Sequence, residues 1–320
     1  MKAFRVEAFG TTAGLRESPP PSPGPGEILL RIADCGLNFA DLLMLKGEYQ
    51  ERPDPPFTLG MEVAGTIEAL GEGVTGPAPG TRVAVFAGTG GLAEWGVFPA
   101  GRCVRLPDAM PFDHAAAFMV AYGTSHVALK HRARLAQGET LLVTGAAGGV
   151  GLTAVEIGKA MGARVIACAR GAEKLAVARE AGADHLIDSA IADLRAELRG
   201  LGGVDVVYDP VGGETFMAAL RATRPEGRLI PIGFAGGAVP QIPANLLLVK
   251  NLTVIGLYWG GYMSFRPEVL TASLSELLEM YEAGRLRPHV SHALPLDRAE
   301  EALELLRSRK STGKVVVTTG

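Results

Sequence analysis

The feature that most constrains the fold is a glycine-rich turn between a strand pattern and a helix pattern, in TLLVTGAAGGVGLTAVEIGKAMGARVIACAR at residues 140–170. An apolar strand, a glycine turn, a helix and a second strand follow one another within about 30 residues, the length of one βαβ unit. The turn reads Ala146-x-Gly148-x-x-Gly151, one residue away from the G-x-G-x-x-G fingerprint of dinucleotide-binding folds. The segment therefore predicts one unit of a parallel, doubly wound sheet.

The backbone of this turn provides the predicted phosphate site. Gly148 would allow the chain to approach a pyrophosphate closely, and Gly151 would allow the helix to pack closely on the strand. The N–H groups of Gly149 and Val150 lie at the predicted helix N-terminus, where the helix dipole favours anions. An ordinary glycine turn is the alternative, but the flanking strand and helix favour a bound dinucleotide.

The end of the second strand predicts which dinucleotide binds. Units that bind NAD usually carry an Asp or Glu there, which accepts a hydrogen bond from the ribose 2′-OH. This chain has Arg170 in that place, no carboxylate before Glu173, and Lys174 in the first predicted helical turn. Both cations could pair with a 2′-phosphate, so the sequence predicts NADP(H) over NAD(H). The alternative is a solvated basic helix start.

The 320 residues are more than one compact core usually requires, and the pattern changes along the chain. Residues 1–112 carry short alternating strands separated by Gly and Pro, whereas residues 113–251 alternate between helix and strand patterns. After residue 252 the alternation weakens, and the last strand pattern, KVVVTT, indicates a return to the first domain. The sequence predicts an α/β protein: a β-rich domain of residues 1–112, completed by 252–320, and a doubly wound domain of residues 113–251.

Composition narrows the function classes. Lys and Arg total 31 and Asp and Glu total 34, so the net charge of -3 argues against a nucleic-acid partner. The three cysteines include no CxxC pair, which excludes a structural zinc knuckle and a disulfide framework. No apolar run approaches the roughly 20 residues of a membrane span. We expect a cytoplasmic protein without a membrane partner.

The whole chain resembles the medium-chain dehydrogenase/reductases, and within them the zinc-free NADPH:quinone oxidoreductase (zeta-crystallin-like) branch. The resemblance rests on several motifs together: GLNFADLLMLKGEY, TLGMEVAGTIEALGEGV, VTGAAGGVG, VDVVYDPVGG, GRLIPIG and TGKVVV. It implies a GroES-like β-rich catalytic domain and a Rossmann domain, with the active site in the cleft between them. It also implies a homodimer formed through the strand pattern LTVIGLY.

Zinc-dependent members of this family bind their catalytic metal through a Cys, a His and a later Cys or Asp. The matching positions here are Asn38, Met61, within TLGMEVAG, and approximately Val120. An amide, a thioether and an aliphatic side chain do not form a zinc site, so no metal is expected. Without a Lewis acid the expected acceptors are already electrophilic small molecules, namely quinones or α,β-unsaturated carbonyls.

The resemblance also supplies the catalytic candidates. Asn38 could donate a hydrogen bond to an acceptor carbonyl or position the nicotinamide ribose, and the threonine that matches Thr124 lies near the nicotinamide. Gly233 and Phe234 match a stretch that packs on the nicotinamide end of the cofactor. Tyr49 matches the proposed proton donor of enoyl thioester reductases. The alternative for Tyr49 is an aromatic that only lines the cleft.

Other polar residues are expected to have structural roles. Asp41 should cap a helix or bond backbone, and Glu62 should be a buried, hydrogen-bonded carboxylate. The six histidines show no paired spacing, so packing or surface roles are expected for them. Ser125 has no evident His or Asp partner, so a hydrolase triad is not supported.

Two alternative functions remain open at this point. An enoyl thioester reductase would need a basic groove for an acyl-CoA or acyl carrier, for which Arg52, Arg266 and Arg287 are available. An NADPH-binding structural or RNA-binding protein of the crystallin kind would bind the cofactor without chemistry. The net charge of -3 argues against RNA, and the polar catalytic candidates argue for chemistry.

Overall fold

The computed structural model describes residues 1–10 and 13–319, which form two compact units. Unit 1 consists of Met1–Val120 and Pro288–Gly320, and unit 2 consists of Ala121–Arg287. Unit 1 is rich in β-strands, and unit 2 contains a parallel sheet with helices. The structure therefore confirms the predicted α/β fold class.

Unit 1 contains a seven-stranded sheet and a three-stranded sheet. Its strands, numbered along the whole chain, are β1 (Lys2–Val6), β2 (Gly14–Glu17), β3 (Glu27–Gly36), β4 (Phe57–Thr58), β5 (Glu62–Leu70), β6 (Arg82–Phe86), β7 (Trp95–Pro99), β8 (Cys103–Arg105), β15 (Val290–Pro295) and β16 (Lys314–Thr318). Its helices are α1 (Phe39–Lys46), α2 (Phe112–Ala116) and α11 (Ala299–Arg307). The larger sheet has the order β15-β16-β3-β5-β6-β8, with β7 also paired to β3, and the smaller has the order β2-β1-β4.

Strand β3 is the centre of the larger sheet. Its apolar residues Ile28, Leu30 and Ile32 alternate with more exposed ones and are buried, which is the period-two pattern of a strand with one face on a core. At its C-terminal end β3 pairs antiparallel with β5 on one side and with β16 on the other, so that Gly36 lies opposite both Glu62 and Val316. This register brings the starts of β5 and β16 to the end of β3.

Unit 2 is built on a six-stranded parallel sheet. Its strands are β9 (Thr140–Thr144), β10 (Arg164–Ala169), β11 (His185–Asp188), β12 (Val204–Asp209), β13 (Thr223–Pro231) and β14 (Thr253–Val254). Its helices are α3 (Met119–His126, which begins in unit 1), α4 (Gly149–Ala160), α5 (Ala172–Glu180), α6 (Leu194–Gly200), α7 (Gly213–Ala222), α8 (Ala244–Lys250), α9 (Tyr262–Phe265) and α10 (Pro267–Glu282). A π-helical segment, Val127–Arg132, continues α3.

The strand order β11-β10-β9-β12-β13-β14 is that of a Rossmann sheet. All five residues of the central strand β9 are buried, as expected for a parallel strand covered on both faces. The chain order reverses between β9 and β12, and ligands of such sheets bind outside the carboxyl ends of the strands at this point. The predicted glycine turn directly follows β9 at this edge.

The unit boundaries differ from the predicted domain boundaries. The sequence assigned residues 252–320 to the first domain, but residues 252–287 belong to unit 2. Strand β14 extends the Rossmann sheet by pairing with β13, where Val254 lies opposite Leu229. Helix α10 then packs within the same unit, and the chain returns to unit 1 only after Arg287. Only Thr253–Val254 of the pattern LTVIGLY form a strand, β14, and this strand belongs to the sheet of unit 2.

No helix within the described parts of the chain, 1–10 and 13–319, has the length and apolar character needed to cross a membrane.

Asp34, on β3, is a buried carboxylate that weakens the fold at high pH. Its Oδ1 atom has no hydrogen-bond partner among the described residues. Burial, and then the charge of Asp113, raises the pKa of Asp34 from 3.8 to about 6. Because this pKa is higher in the folded state, the stability associated with the neutral carboxyl is present below about pH 4 and is lost as the pH rises through 6.

We predict that Asp34→Asn increases the free energy of unfolding at pH 8 by about 1–2 kcal/mol, after allowance for solvent screening. The gain should become small near pH 4, where Asp34 is protonated in the folded protein. Urea denaturation of the two proteins at both pH values measures the difference. An equal effect at pH 4 and pH 8 would contradict the role of the Asp34 charge.

Candidate functional site

A closed triangle of polar side chains lies inside unit 1. Lys314 Nζ donates to Glu62 Oε1 at 2.5 Å and to Asn38 Oδ1 at 2.8 Å, and Asn38 Nδ2 donates to Glu62 Oε1 at 2.9 Å. Glu62 is 1% exposed and Lys314 is 5% exposed. Because a buried charge is very costly unless it is paired, the ion pair and its hydrogen bonds form one interdependent network.

The three side chains lie at the starts of β5 and β16 and just after the end of β3. Glu62 is the first residue of β5 and Lys314 is the first residue of β16, the two strands that flank the end of β3. Asn38 follows β3 and precedes α1. The sequence analysis predicted Asn38 and the buried, hydrogen-bonded Glu62, and the structure confirms the environment of Glu62. It did not identify Lys314, although the motif TGKVVV that contains it was noticed.

The contacts of Asn38 determine the orientation of its amide. In the observed orientation Oδ1 faces the Lys314 ammonium and Nδ2 faces the Glu62 carboxylate. A rotated amide would place a donor against the ammonium and an acceptor against the carboxylate, which removes both hydrogen bonds. Among the described residues, the remaining contact of Nδ2 is with Gly36 O, at the long distance of 3.4 Å.

The residues at the positions that match zinc ligands do not fit a zinc ion. Met61 is buried and offers a thioether, and Val120 contributes its backbone N–H, which donates to Glu62 Oε2 at 2.9 Å. Asn38 offers an amide that is already engaged with Glu62 and Lys314. Within residues 1–10 and 13–319, no group of three or more His, Cys, Asp or Glu side chains is placed to hold a metal ion.

Asp41 lies in the first turn of α1 and bonds backbone, which is one of the two structural roles expected for it. Its Oδ2 accepts the backbone N–H of Asn38 at 2.8 Å. Burial raises the pKa of Asp41 from 3.8 to about 7, although the Asn38 N–H and the charge of Lys314 oppose that rise. The carboxyl therefore fixes the backbone from which the Asn38 side chain projects.

Tyr49 lies beyond the other end of α1. The helix ends at Lys46, Gly47 adopts a φ of 71°, and half-buried Tyr49 follows two residues later. An eight-residue helix is about 12 Å long, so α1 separates the backbone of Asn38 from that of Tyr49. The structure does not test whether Tyr49 donates a proton, and its role stays a prediction.

In unit 2 the glycine turn occupies residues 145–148, between β9 and α4. Gly151 is a structural requirement, because a Cβ atom there would lie 2.2 Å from Gly145 O. A Cβ atom on Gly148 would meet only that oxygen, at 3.3 Å. Gly151 therefore allows α4 to pass close to the turn that follows β9. The N–H groups of Gly149 and Val150 lie in the first turn of a twelve-residue helix, where intrahelical acceptors are lacking.

A buried network of hydroxyl groups contacts the first turn of α4, directly after the glycine turn. Ser125 Oγ donates to Val150 O at 3.0 Å and lies 2.8 Å from Thr153 Oγ1 and 2.9 Å from Tyr208 OH. Ser125 is therefore a packing residue, in agreement with the absence of a predicted triad. Thr124, the preceding residue of α3, is also buried.

The loop after β10 carries the predicted 2′-phosphate site. Arg170 is exposed directly after β10, and Lys174 is half-buried in the first turn of α5. Asp188, which no sequence motif indicated, ends β11. Its Oδ1 accepts the N–H groups of Gly171 at 3.0 Å and Ala190 at 2.9 Å. The Ala190 and Gly171 N–H groups, and then the charge of Arg170, lower the pKa of Asp188. Arg170 thus has a carboxylate nearby.

Gly233 and Phe234 follow β13 at the same carboxyl edge of the parallel sheet. Their loop is held against the loop after β12, since the Ala235 N–H donates to Pro210 O at 3.0 Å. The structure therefore places the glycine turn, Arg170 and the Gly233–Phe234 stretch at one edge of one sheet. Asn38 and Tyr49 belong to the other unit.

Two of the three side chains proposed for a basic groove, those of Arg52 and Arg266, have other partners. Arg52 stacks over the Phe9 ring at 4.5 Å, and Arg266 Nε pairs with Glu268 Oε1 at 3.0 Å. The backbone N–H of Arg287 donates to Glu156 Oε1 at 2.5 Å. Among the histidines, buried His126 contacts Ser273 Oγ through Nδ1 at 2.8 Å, which agrees with a packing role.

We predict that Gly151→Ala lowers the free energy of unfolding by about 1–3 kcal/mol, because its methyl group forces α4 away from the turn. The matched variant Gly148→Ala, whose Cβ meets one atom at 3.3 Å, should cost clearly less. Urea denaturation of both variants measures the comparison. Equal losses would show that the close approach at Gly151 does not limit stability.

Two protein-family models match the chain, one in each unit. The alcohol dehydrogenase GroES-like domain matches residues 24–108, and the zinc-binding dehydrogenase domain matches residues 149–276. These matches agree with the predicted GroES-like and Rossmann domains.

Individual proteins are similar over nearly the whole chain. Quinone oxidoreductase-like protein 2 of Bos taurus is 40% identical over 308 residues, 95% of this chain and 88% of the relative. The structure of Escherichia coli quinone oxidoreductase complexed with NADPH has a TM-score of 0.93 and 30% identity, and the match covers 99% of this chain and 100% of that one. The quinone oxidoreductase of Thermus thermophilus, also solved with NADPH, has a TM-score of 0.87, 36% identity and the same coverage.

Proposed function

Because the chain belongs to the medium-chain dehydrogenase/reductases, and within them to the quinone oxidoreductase-like branch, we propose that it reduces quinones or other conjugated carbonyl compounds by hydride transfer. Membership of this branch makes it an NADPH-dependent oxidoreductase. The choice of acceptor and the absence of zinc from the reaction are the proposed parts.

One observation carries the proposal. The positions that match the zinc ligands of the family hold Asn38, Met61 and Val120, and the Asn38 amide and the Val120 N–H donate to Glu62, which is paired with Lys314. Such a site has no Lewis acid with which to polarise an alcohol or an unactivated ketone. Quinones and conjugated carbonyls accept hydride without one, provided that a donor stabilises the oxygen that gains charge.

The residues of unit 2 fit the adenosine and phosphate parts of NADPH. The N–H groups of Gly149 and Val150 would hold the pyrophosphate, with Ala146 and Gly148 in the adjoining turn, and Gly151 keeps α4 close to β9. Arg170 and Lys174 would pair with the 2′-phosphate.

NADPH, when bound, supplies the hydride. Gly233, Phe234 and Thr124 are proposed to contact its nicotinamide end. In unit 1, Asn38 is proposed to donate its second amide hydrogen to the acceptor oxygen or to the nicotinamide ribose, since the first is held by Glu62. Tyr49 is proposed either to donate a proton or to line the site.

The proposal is tested by following NADPH oxidation with benzoquinone, phenanthrenequinone, a simple enone and crotonyl-CoA, each with and without a zinc chelator. Turnover of quinone or enone that the chelator does not change supports the proposal. Inhibition by the chelator would refute the zinc-free mechanism. Binding of NADPH with no oxidation by any acceptor would instead favour a structural, crystallin-like role.

The enoyl thioester alternative has a distinct outcome in the same assay. Turnover of crotonyl-CoA alone, abolished in Tyr49→Phe, would establish it and make Tyr49 the proton donor. The structure gives it no specific support, because Arg52 and Arg266 are engaged with Phe9 and Glu268.

We predict that Arg170→Ala combined with Lys174→Ala weakens NADPH binding by about 10- to 100-fold, because charge-assisted hydrogen bonds from these solvent-accessible cations to the 2′-phosphate contribute about 1.5–3 kcal/mol in total. NADH binding should change little. Titration of cofactor fluorescence measures both affinities, and Arg179→Ala, exposed in the last turn of α5, is the matched control. Equal losses for NADPH and NADH would exclude a 2′-phosphate site at Arg170.

The chain is also proposed to act as a cytoplasmic homodimer. Strand β14 is the edge strand of the six-stranded sheet, and the preceding helix α8 exposes Leu248 and Val249 to 76% and 67%. Exposed apolar residues beside an unpaired sheet edge are typical of a surface that a second copy covers.

We predict that Leu248→Glu converts this dimer to a monomer, because it places a charge in the apolar surface. Sedimentation velocity measures the mass of both proteins, and Arg309→Glu, on an exposed turn of unit 1, is the control. A monomeric unsubstituted protein, or a variant that remains dimeric, would argue against this interface.

A further inference from the structure

We propose that Lys314 is a positioning residue, which orients the amide of Asn38 for hydride transfer. The inference rests on the proposed function, since it assigns Asn38 the role of hydrogen-bond donor in that reaction. Lys314 itself is buried behind Asn38 and Glu62 and acts through them.

Lys314 and Glu62 contact the two different ends of the Asn38 amide. Lys314 holds the amide oxygen at 2.8 Å, and Glu62 holds one amide hydrogen at 2.9 Å. Together they define the plane of the Asn38 amide and leave one Nδ2 hydrogen whose contact with Gly36 O, at 3.4 Å, is long. That hydrogen is the one available to an acceptor oxygen or to a ribose hydroxyl.

The backbone around Lys314 is adapted to hold it in this place. Its N–H donates to His289 O at 2.9 Å, where β16 begins beside β15. Gly313 has a φ of 54°, and a Cβ atom there would lie 2.2 Å from the same His289 oxygen. The chain can therefore bring Lys314 into the interior only by passing close to His289, which a side chain at position 313 would prevent.

A double variant that removes both buried charges distinguishes the positioning role of Lys314 from its role in neutralising Glu62. Lys314→Met alone leaves the Glu62 carboxylate buried and unpaired, which is expected to impair folding. The double variant Lys314→Met with Glu62→Gln contains no buried charge at these two positions. The glutamine introduced at position 62 has one acceptor oxygen for the two donors, Val120 N–H and Asn38 Nδ2, that share the Glu62 carboxylate. The ammonium that faces Asn38 Oδ1 is also gone, so the contacts that define the observed orientation of the Asn38 amide are lost. Lys310→Met, at an exposed position near β16, is the control.

The orientation of Asn38 can be observed directly. The chain contains three asparagines, Asn38, Asn245 and Asn251, so selective ¹⁵N labelling of asparagine gives three pairs of side-chain amide signals. Asn38→Ala assigns the Asn38 pair. We expect two separate, slowly exchanging hydrogens in the unsubstituted protein and in Lys310→Met. In the double variant they should exchange faster and approach each other in shift.

Turnover is then measured with the best acceptor from the assay described above. We expect the double variant to lose about 10- to 100-fold in kcat, because a misplaced donor no longer supports the transition state. Its Kd for NADPH and its thermal midpoint should stay close to those of Lys310→Met. A residue needed only for stability would lower the thermal midpoint and leave kcat of the folded protein unchanged.

The outcomes distinguish this inference from the proposed function. Unchanged Asn38 signals together with unchanged kcat in the double variant would overturn the role of Lys314. A third outcome is altered Asn38 signals in the double variant, with full turnover in both the double variant and Asn38→Ala. It would show that Lys314 orients Asn38, but that Asn38 takes no part in the reaction. If no acceptor is reduced at all, the amide signals still decide whether Lys314 orients Asn38, while the proposed function fails separately.

Discussion

The buried ion pair between Glu62 and Lys314 is the interaction on which the polar interior of unit 1 depends. It joins the starts of two strands on either side of β3, and through it Asn38, the start of α1 and the Val120 N–H are held around a single carboxylate. Two opposite charges in an interior are stable only together, so neither can be changed without consequences for the other.

Much of the fold followed from local patterns. The all-apolar strand β9, the glycine turn and α4 are contiguous in the chain, so their periodicities and the spacing of Gly148 and Gly151 were sufficient to predict a Rossmann unit. The assignment of residues 252–287 to the first domain failed for a non-local reason. The short strand β14 is stabilised by its pairing with β13, and two residues of strand do not show in a sequence which sheet they join.

In the candidate site, too, some residues could be predicted from local motifs and others could not. Asn38 and the turn glycines lie in recognisable motifs, whereas the roles of Lys314 and Asp188 depend on partners that no motif indicates. Lys314 and Glu62 are 252 residues apart, and a lysine at the start of a strand is ordinarily a solvated residue. Asp188 likewise reads as the end of an ordinary strand until its contact with the Gly171 N–H is seen.

The large separation between Glu62 and Lys314 also bears on the order in which the protein is synthesised. The strands of unit 2 are consecutive in the chain, so that unit can assemble as soon as it has emerged from the ribosome. Unit 1 cannot, because β16 and the partner of Glu62 are translated only after Ala121–Arg287. Until then residues 34–36 of β3, which pair with β16, lack that strand and are open to other nascent chains. In this molecule the domain that is translated first is the one that is completed last.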